Sequence, residues 1–167
     1  MARWGLFRTS LREPHFSRDS RSMRLIDRFE EERKPMAARD VRIVLVDDEI
    51  HIRYLMRNVI QVEGFVVVGE AYNGEDAIAL YREHRPDLLL LDINLPLKTG
   101  DEVLAEVLKE FPDAKVVMLT MVADIDTVKR CLEIGAVDYI LKSVPVEELR
   151  GMLRELVARV VQEKEVP

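Results

Sequence analysis

The constraint that weighs most on this chain is a regular alternation of two apolar patterns. From Val41 onward, short apolar runs alternate with segments whose apolar residues recur at helical spacing. Val41–Val46 is a β-branched run broken by Asp47–Asp48–Glu49. Ile52, Leu55, Met56, Val59 and Ile60 then follow at the spacing of one helix face, which Gly64 ends. Phe65–Val68 predicts a second strand. Asn73–Gly74 predicts a turn, with Asn73 as cap of a helix holding Ala77, Ile78, Leu80 and Tyr81. Pro86 breaks that helix. Asp87–Leu91 reads as a third strand, apolar throughout, as a strand covered on both faces must be. A helix with Val103, Leu104, Val107, Leu108 and Phe111 follows. Val116–Leu119 is a fourth strand, Asp124–Ile134 a fourth helix closed by Gly135, and Val137–Leu141 a fifth strand. A last helix starts near Val146 and turns Leu149, Met152, Leu153, Leu156, Val157 and Val160 inward.

Strands alternating with helices predict an α/β fold, a parallel sheet joined by right-handed crossovers with helices on both faces. The composition permits it. Of 167 residues, 48% are hydrophobic and 34% charged, and the single cysteine, Cys131, excludes an internal disulfide framework and a cysteine zinc cluster. No apolar run approaches the roughly 20 residues of a membrane helix, so a cytoplasmic protein with no membrane segment is expected. Net charge is -6, which argues against nucleic acid as the main partner.

The charge is unevenly spread. Residues 1–40 hold 10 Lys/Arg and 7 Asp/Glu; residues 41–167 hold 15 and 24. Composition also shifts near residue 40. Residues 1–39 are therefore expected to be a basic extension, disordered or partly helical over 23–33, with Met23 or Met36 as alternative starts. The domain is expected over 40–162, with a short tail at 163–167.

In open parallel sheets the ligand site lies beyond the carboxyl ends of the strands. Asp47, Asp48 and Glu49 stand there after the first strand, Asp92 after the third, Thr120 after the fourth and Lys142 after the fifth. Carboxylates gathered together repel and call for a cation, and an all-oxygen set suits Mg²⁺. A lysine neutralises a bound anion and a threonine hydroxyl donates to it. An aspartate can itself accept a phosphoryl group. Other phosphate-handling patterns fit less well. There is no glycine-rich loop ending in Lys–Ser or Lys–Thr. The first loop has carboxylates where a flavin phosphate would want hydroxyls and glycines. Asn94 stands where haloacid-dehalogenase-type phosphatases want a second aspartate.

Over residues 41–161 the chain resembles the receiver domain of bacterial two-component response regulators. The matching stretches are Val44–Leu45–Val46–Asp47–Asp48–Glu49, Leu91–Asp92–Ile93–Asn94–Leu95–Pro96 with Gly100, Leu119–Thr120, and Asp138–Tyr139–Ile140–Leu141–Lys142. Asp48 and Asp92 are 44 residues apart, Asp92 and Thr120 are 28, and Thr120 and Lys142 are 22. The resemblance implies a flavodoxin-like five-stranded sheet in the order 2-1-3-4-5. It implies Asp92 as phosphoryl acceptor, Asp48 as direct Mg²⁺ ligand and Asp47 as a ligand through water. The Asn94 carbonyl would complete the metal site. Thr120 and Lys142 would contact phosphoryl oxygens, and Tyr139 would be the aromatic switch.

Two departures stand out. Ser143, not proline, follows Lys142, and Met121, not a small residue, follows Thr120. These neighbours look like receivers of LuxR-type regulators, yet no DNA-binding domain is expected after the last helix. Met121 is expected to cover part of the site and slow phosphoryl loss. The expectation is a stand-alone phosphoacceptor with slow autodephosphorylation. A sensor histidine kinase or a histidine phosphotransfer protein would be the donor. Output would pass to a downstream protein, with a homodimer possible through the face of the fourth helix, fifth strand and fifth helix. The alternative is a docking module that works without phosphorylation.

Overall fold

A computed structural model describes residues 41–121 and 125–165. The expectations for residues 1–39, including the helix over 23–33, lie outside the described residues, as do those for residues 166 and 167.

Among the described residues ten elements alternate: β1 (Arg42–Val46), α1 (Ile50–Val62), β2 (Val66–Ala71), α2 (Gly74–His84), β3 (Leu88–Asp92), α3 (Gly100–Glu110), β4 (Val116–Thr120), α4 (Ile125–Ile134), β5 (Asp138–Leu141) and α5 (Val146–Glu165). All strand pairs are parallel and the order is β2-β1-β3-β4-β5. This is the sheet the alternation and the resemblance led one to expect.

The strands' period of two divides the core. Val44, Val46, Leu89, Leu91, Val116 and Met118 face α2, α3 and α4. Ile43, Leu45, Leu88, Leu90, Val117, Leu119 and Ile140 face α1 and α5. β3 and β4 are buried along their whole length, which explains their uninterrupted apolar runs.

β2 runs further than its apolar run. The expected strand stops at Val68, but the ladder continues through Gly69, Glu70 and Ala71, opposite Val44, Leu45 and Val46. β2 is an edge strand and only half buried, so polar residues cost it little and the hydrophobic signal ends early. A bulge between Ile43 and Val44 leaves Val68 unmatched.

Local chemistry sets the helix ends. The Asp76 amide donates to Asn73 Oδ1 at 2.8 Å, the cap expected for α2. The Thr99 amide donates to Glu102 at 3.0 Å where α3 begins. Gly135 takes a positive φ of 126° after α4. Glu63, just past α1, accepts from Arg150 Nε at 2.6 Å and from Arg154 Nε at 2.9 Å, tying α1 to α5.

Candidate functional site

The strand alternation continues past the strand ends and decides which side chains meet. Asp47, Asp92 and Lys142 follow the parity of Leu45, Leu90 and Ile140, the α1–α5 side. Thr120 and Tyr139 follow the parity of Met118, the α2–α4 side.

At the carboxyl edge Asp47, Asp92 and Lys142 converge. Lys142 Nζ stands 2.5 Å from Asp47 Oδ2 and 2.9 Å from Asp92 Oδ2, with Glu49 Oε1 at 4.0 Å. The three bridged side chains are nearly sealed from solvent: Lys142 is 1% exposed, Asp47 0% and Asp92 4%. Thr120 is buried at the end of β4. Asp48 and Glu49 are exposed, and oxygens of Asp47, Asp48 and Glu49 lie within 4.8 Å of one another.

Burial pushes both the Asp47 and the Asp92 carboxyl above the ordinary aspartate value. The Lys142 ammonium works against that shift, and at Asp92 the neighbouring Asp47 adds to it. Burial alone would lower the Lys142 ammonium, but the two carboxylates outweigh it and hold it raised. The buried Asp47 Oδ2 has the Lys142 ammonium as its ion-pair partner and no further donor among the described residues. A buried carboxylate oxygen with one ammonium as its partner, beside the carboxylates of Asp48 and Glu49, leaves oxygens over for a hard divalent cation. The residues present therefore suit Mg²⁺.

The backbone holds the acidic turns in place. The Asp47 amide donates to Ala71 O at 3.1 Å, and Asp47 Oδ1 accepts from the Glu49 amide at 2.9 Å. Asp92 Oδ1 accepts from the Asn94 amide at 3.3 Å. Gly100 donates to Ile93 O at 2.8 Å, and a Cβ there would overlap the Asp92 carbonyl oxygen and stand 2.8 Å from Ile93 Cα. The first turn of α3 thus rests on the backbone of Asp92, and only glycine allows that approach.

Of the expected residues, Asp47, Asp48, Asp92 and Lys142 gather at one edge, with Thr120 on the neighbouring strand and exposed Asn94 just after β3. Tyr139 is not among them. It is half-buried on β5, with β4 between it and β3, and it packs against the α2–α4 core. Met121 is 44% exposed and lines a cavity of about 230 Å³ with Asn94, Thr99, Asp101, Thr120 and Arg130. The described residues contain no cis peptide bond, so Lys142–Ser143 is trans.

Sequence reading missed the reach of Glu49 toward Lys142, the packing role of Gly100 and the position of Arg53. Arg53 Nη1 donates to Asp47 O at 2.7 Å and to Asp48 O at 3.1 Å. Its only signal was a basic residue one helical turn beyond an acidic run.

Comparison with known proteins gives a consistent result. A family model described as response regulator receiver domain matches residues 43–154. Protein CcdB of Bacillus subtilis (strain 168) is 38% identical over 120 residues, covering 72% of this chain and 97% of that protein. Two further curated relatives, the probable C4-dicarboxylate response regulators DctR of Bacillus subtilis (strain 168) and Priestia megaterium, are longer, and the chain spans about half of their length (54% and 50%). Among solved structures, a LuxR-family two-component response regulator from Aurantimonas sp. SI85-9A1 matches with a TM-score of 0.66 and 32% identity, over 70% of this chain and 84% of that one. The CheX–CheY–BeF3–Mg+2 complex from Borrelia burgdorferi matches with a TM-score of 0.65 and 26% identity, over 70% of this chain and 87% of that one.

Proposed function

The chain belongs to the response-regulator receiver family of two-component phosphorelay signalling, and from that premise we propose that Asp92 is its phosphoryl acceptor and that Mg²⁺ is required. The observation that carries this reading is the ammonium of Lys142 set between Asp47 and Asp92 beneath an acidic cluster. Asp47, Asp48 and Asp92, with the Asn94 carbonyl, would hold the cation. When bound, it supplies positive charge against the phosphoryl oxygens.

In the transfer, an Asp92 carboxylate oxygen attacks phosphorus. The bond from phosphorus to the donor's histidine nitrogen breaks, and that nitrogen leaves with the electron pair. An acyl phosphate forms on Asp92. Lys142 and Thr120 then meet phosphoryl oxygens that were absent before, and this new contact favours one conformation over another. Tyr139 shares the sheet side of Thr120, so the same change reaches the face of α4, β5 and α5. That face presents Ile125, Leu132 and Ile134 to solvent. Output would be protein contact there, with a downstream partner or a second copy.

A macromolecular donor suits the surface around the site. Each strand is followed on its carboxyl side by at least one exposed large apolar residue, among them Ile50, Tyr72, Leu97, Met121 and Val146. Exposed apolar side chains on the segments that follow the strands suit a protein surface bearing phosphohistidine, from a histidine kinase or a phosphotransfer protein. We place the receiver domain at residues 40–162, with residues 1–39 as a basic extension. Among the described residues no helix is long and apolar enough to cross a membrane; we propose that the domain works in the cytoplasm.

Intact mass after incubation with acetyl phosphate and Mg²⁺ tests the reading, with Asp92→Asn beside it. The expected result is one phosphoryl adduct that needs Mg²⁺ and is lost in the variant. An adduct that persists in Asp92→Asn overturns the site assignment. A folded chain with neither adduct nor Mg²⁺ binding is the docking module instead.

A further inference from the structure

Arg53 occupies an odd place. It lies in the first turns of α1, where the helix dipole disfavours a cation, and that first turn has no acidic residue to offset it. The helix N-cap, Glu49, makes no side-chain capping bond. The guanidinium folds back instead. Nη1 donates to the carbonyl oxygens of both Asp47 and Asp48, and Nε stands 4.0 Å from Glu70 at the end of β2. The side chain is 16% exposed, so it is held in this arrangement and does not wave in solvent. Its neighbour Arg57 also pairs with Glu70, at 2.5 and 2.7 Å, but has no bond to the acidic turn.

We infer that Arg53 is a positioning residue for the cation site, pinning two successive carbonyls so that the carboxylates of Asp47 and Asp48 point the same way. The inference rests on the Mg²⁺-dependent reading above and adds to it a residue that contacts no ligand. Charge and geometry make opposite predictions here. Arg53 is a cation beside a cation site, so removing its charge alone would tighten Mg²⁺ binding. Losing its two hydrogen bonds would loosen the turn and weaken binding. Groups that orient metal ligands in this way are worth roughly 10-fold to 100-fold in affinity.

The test is calorimetric titration of the full chain with MgCl₂, comparing Arg53→Met with Arg57→Met. The expected result is binding about tenfold weaker in Arg53→Met and unchanged in Arg57→Met. Two further readouts separate positioning from a general loss of structure. In the Mg²⁺-free protein the Glu49 amide, which donates to Asp47 Oδ1, should exchange faster in Arg53→Met. Phosphorylation by acetyl phosphate should be slow at limiting Mg²⁺ and recover at saturating Mg²⁺. If Arg53→Met fails to fold, Arg53→Lys keeps the charge and the stem but loses the fork, and its binding should also weaken. Unchanged or tighter binding in the Arg53 variant overturns the inference, and so does an equal loss in Arg57→Met. A wild-type chain that binds no Mg²⁺ overturns the functional reading together with it.

Discussion

Lys142 is the residue on which the site turns. Its ammonium separates two carboxylates that burial already pushes toward protonation. Removing one partner of a buried ion pair leaves uncompensated charge, and here two carboxylates would face each other. Lys142→Met should lose about 3 kcal/mol of stability in urea unfolding at pH 7. Mg²⁺ should restore part of the loss, because it supplies the missing positive charge. A variant as stable as the parent would mean that water already screens the pair. Gly100 is the second such residue. Gly100→Ala forces the start of α3 off the Asp92 backbone, so it should cost about 2 kcal/mol and slow phosphoryl uptake together. Slower uptake without a loss of stability would show that the helix start can shift freely. The identity of the site residues was legible in the chain, since each is the polar residue that ends an apolar run. The need for glycine at position 100 was not, because it depends on how the loop from β3 folds the start of α3 back onto Asp92 and Ile93.

At the scale of elements, the helices were readable from periodicity and the longest-range tie between them was not. Glu63 holds Arg150 and Arg154, joining α1 to α5 across the back of the sheet. Burial by itself would raise the Glu63 carboxyl, but the two guanidinium bonds outweigh it and hold it below the ordinary glutamate range. A lowered carboxyl gives stability that is present above the unfolded value and lost as pH falls through the folded one. Glu63→Gln should therefore cost about 1–2 kcal/mol near neutrality, and the gap should narrow as pH falls below the unfolded glutamate value of about 4.3. Urea unfolding at both pH values measures it, and a constant gap would refute the charge-pair account. β2 gives the complementary lesson. Its apolar signal ends before its hydrogen bonds do, because an edge strand needs only one neighbour and only partial cover.

The whole molecule places an acidic cluster at one edge of a sheet that is apolar on both faces. Ionised, buried carboxylates with raised values weaken the fold, and a cation that binds only the folded chain offsets this. Mg²⁺ should raise the unfolding midpoint in a saturable way, by about 2.7 kcal/mol at 100 times its dissociation constant. A midpoint indifferent to Mg²⁺ but shifted by general salt would mean screening and not binding. The sequence by itself determined the layers, since a period of two or of 3.6 is a property of neighbouring residues. It also determined which residues stand at the strand ends, and by alternation which of them share a side of the sheet. Only the tertiary structure decided that Lys142 reaches both Asp47 and Asp92, that Gly100 touches Asp92 and that Arg53 folds back onto the acidic turn. The Lys142 contacts depend on strand order, register and twist, and the other two on how the β3–α3 loop and the β1–α1 turn fold. No local pattern encodes the Lys142 pairs, because strands that far apart in the chain meet only once the sheet is assembled.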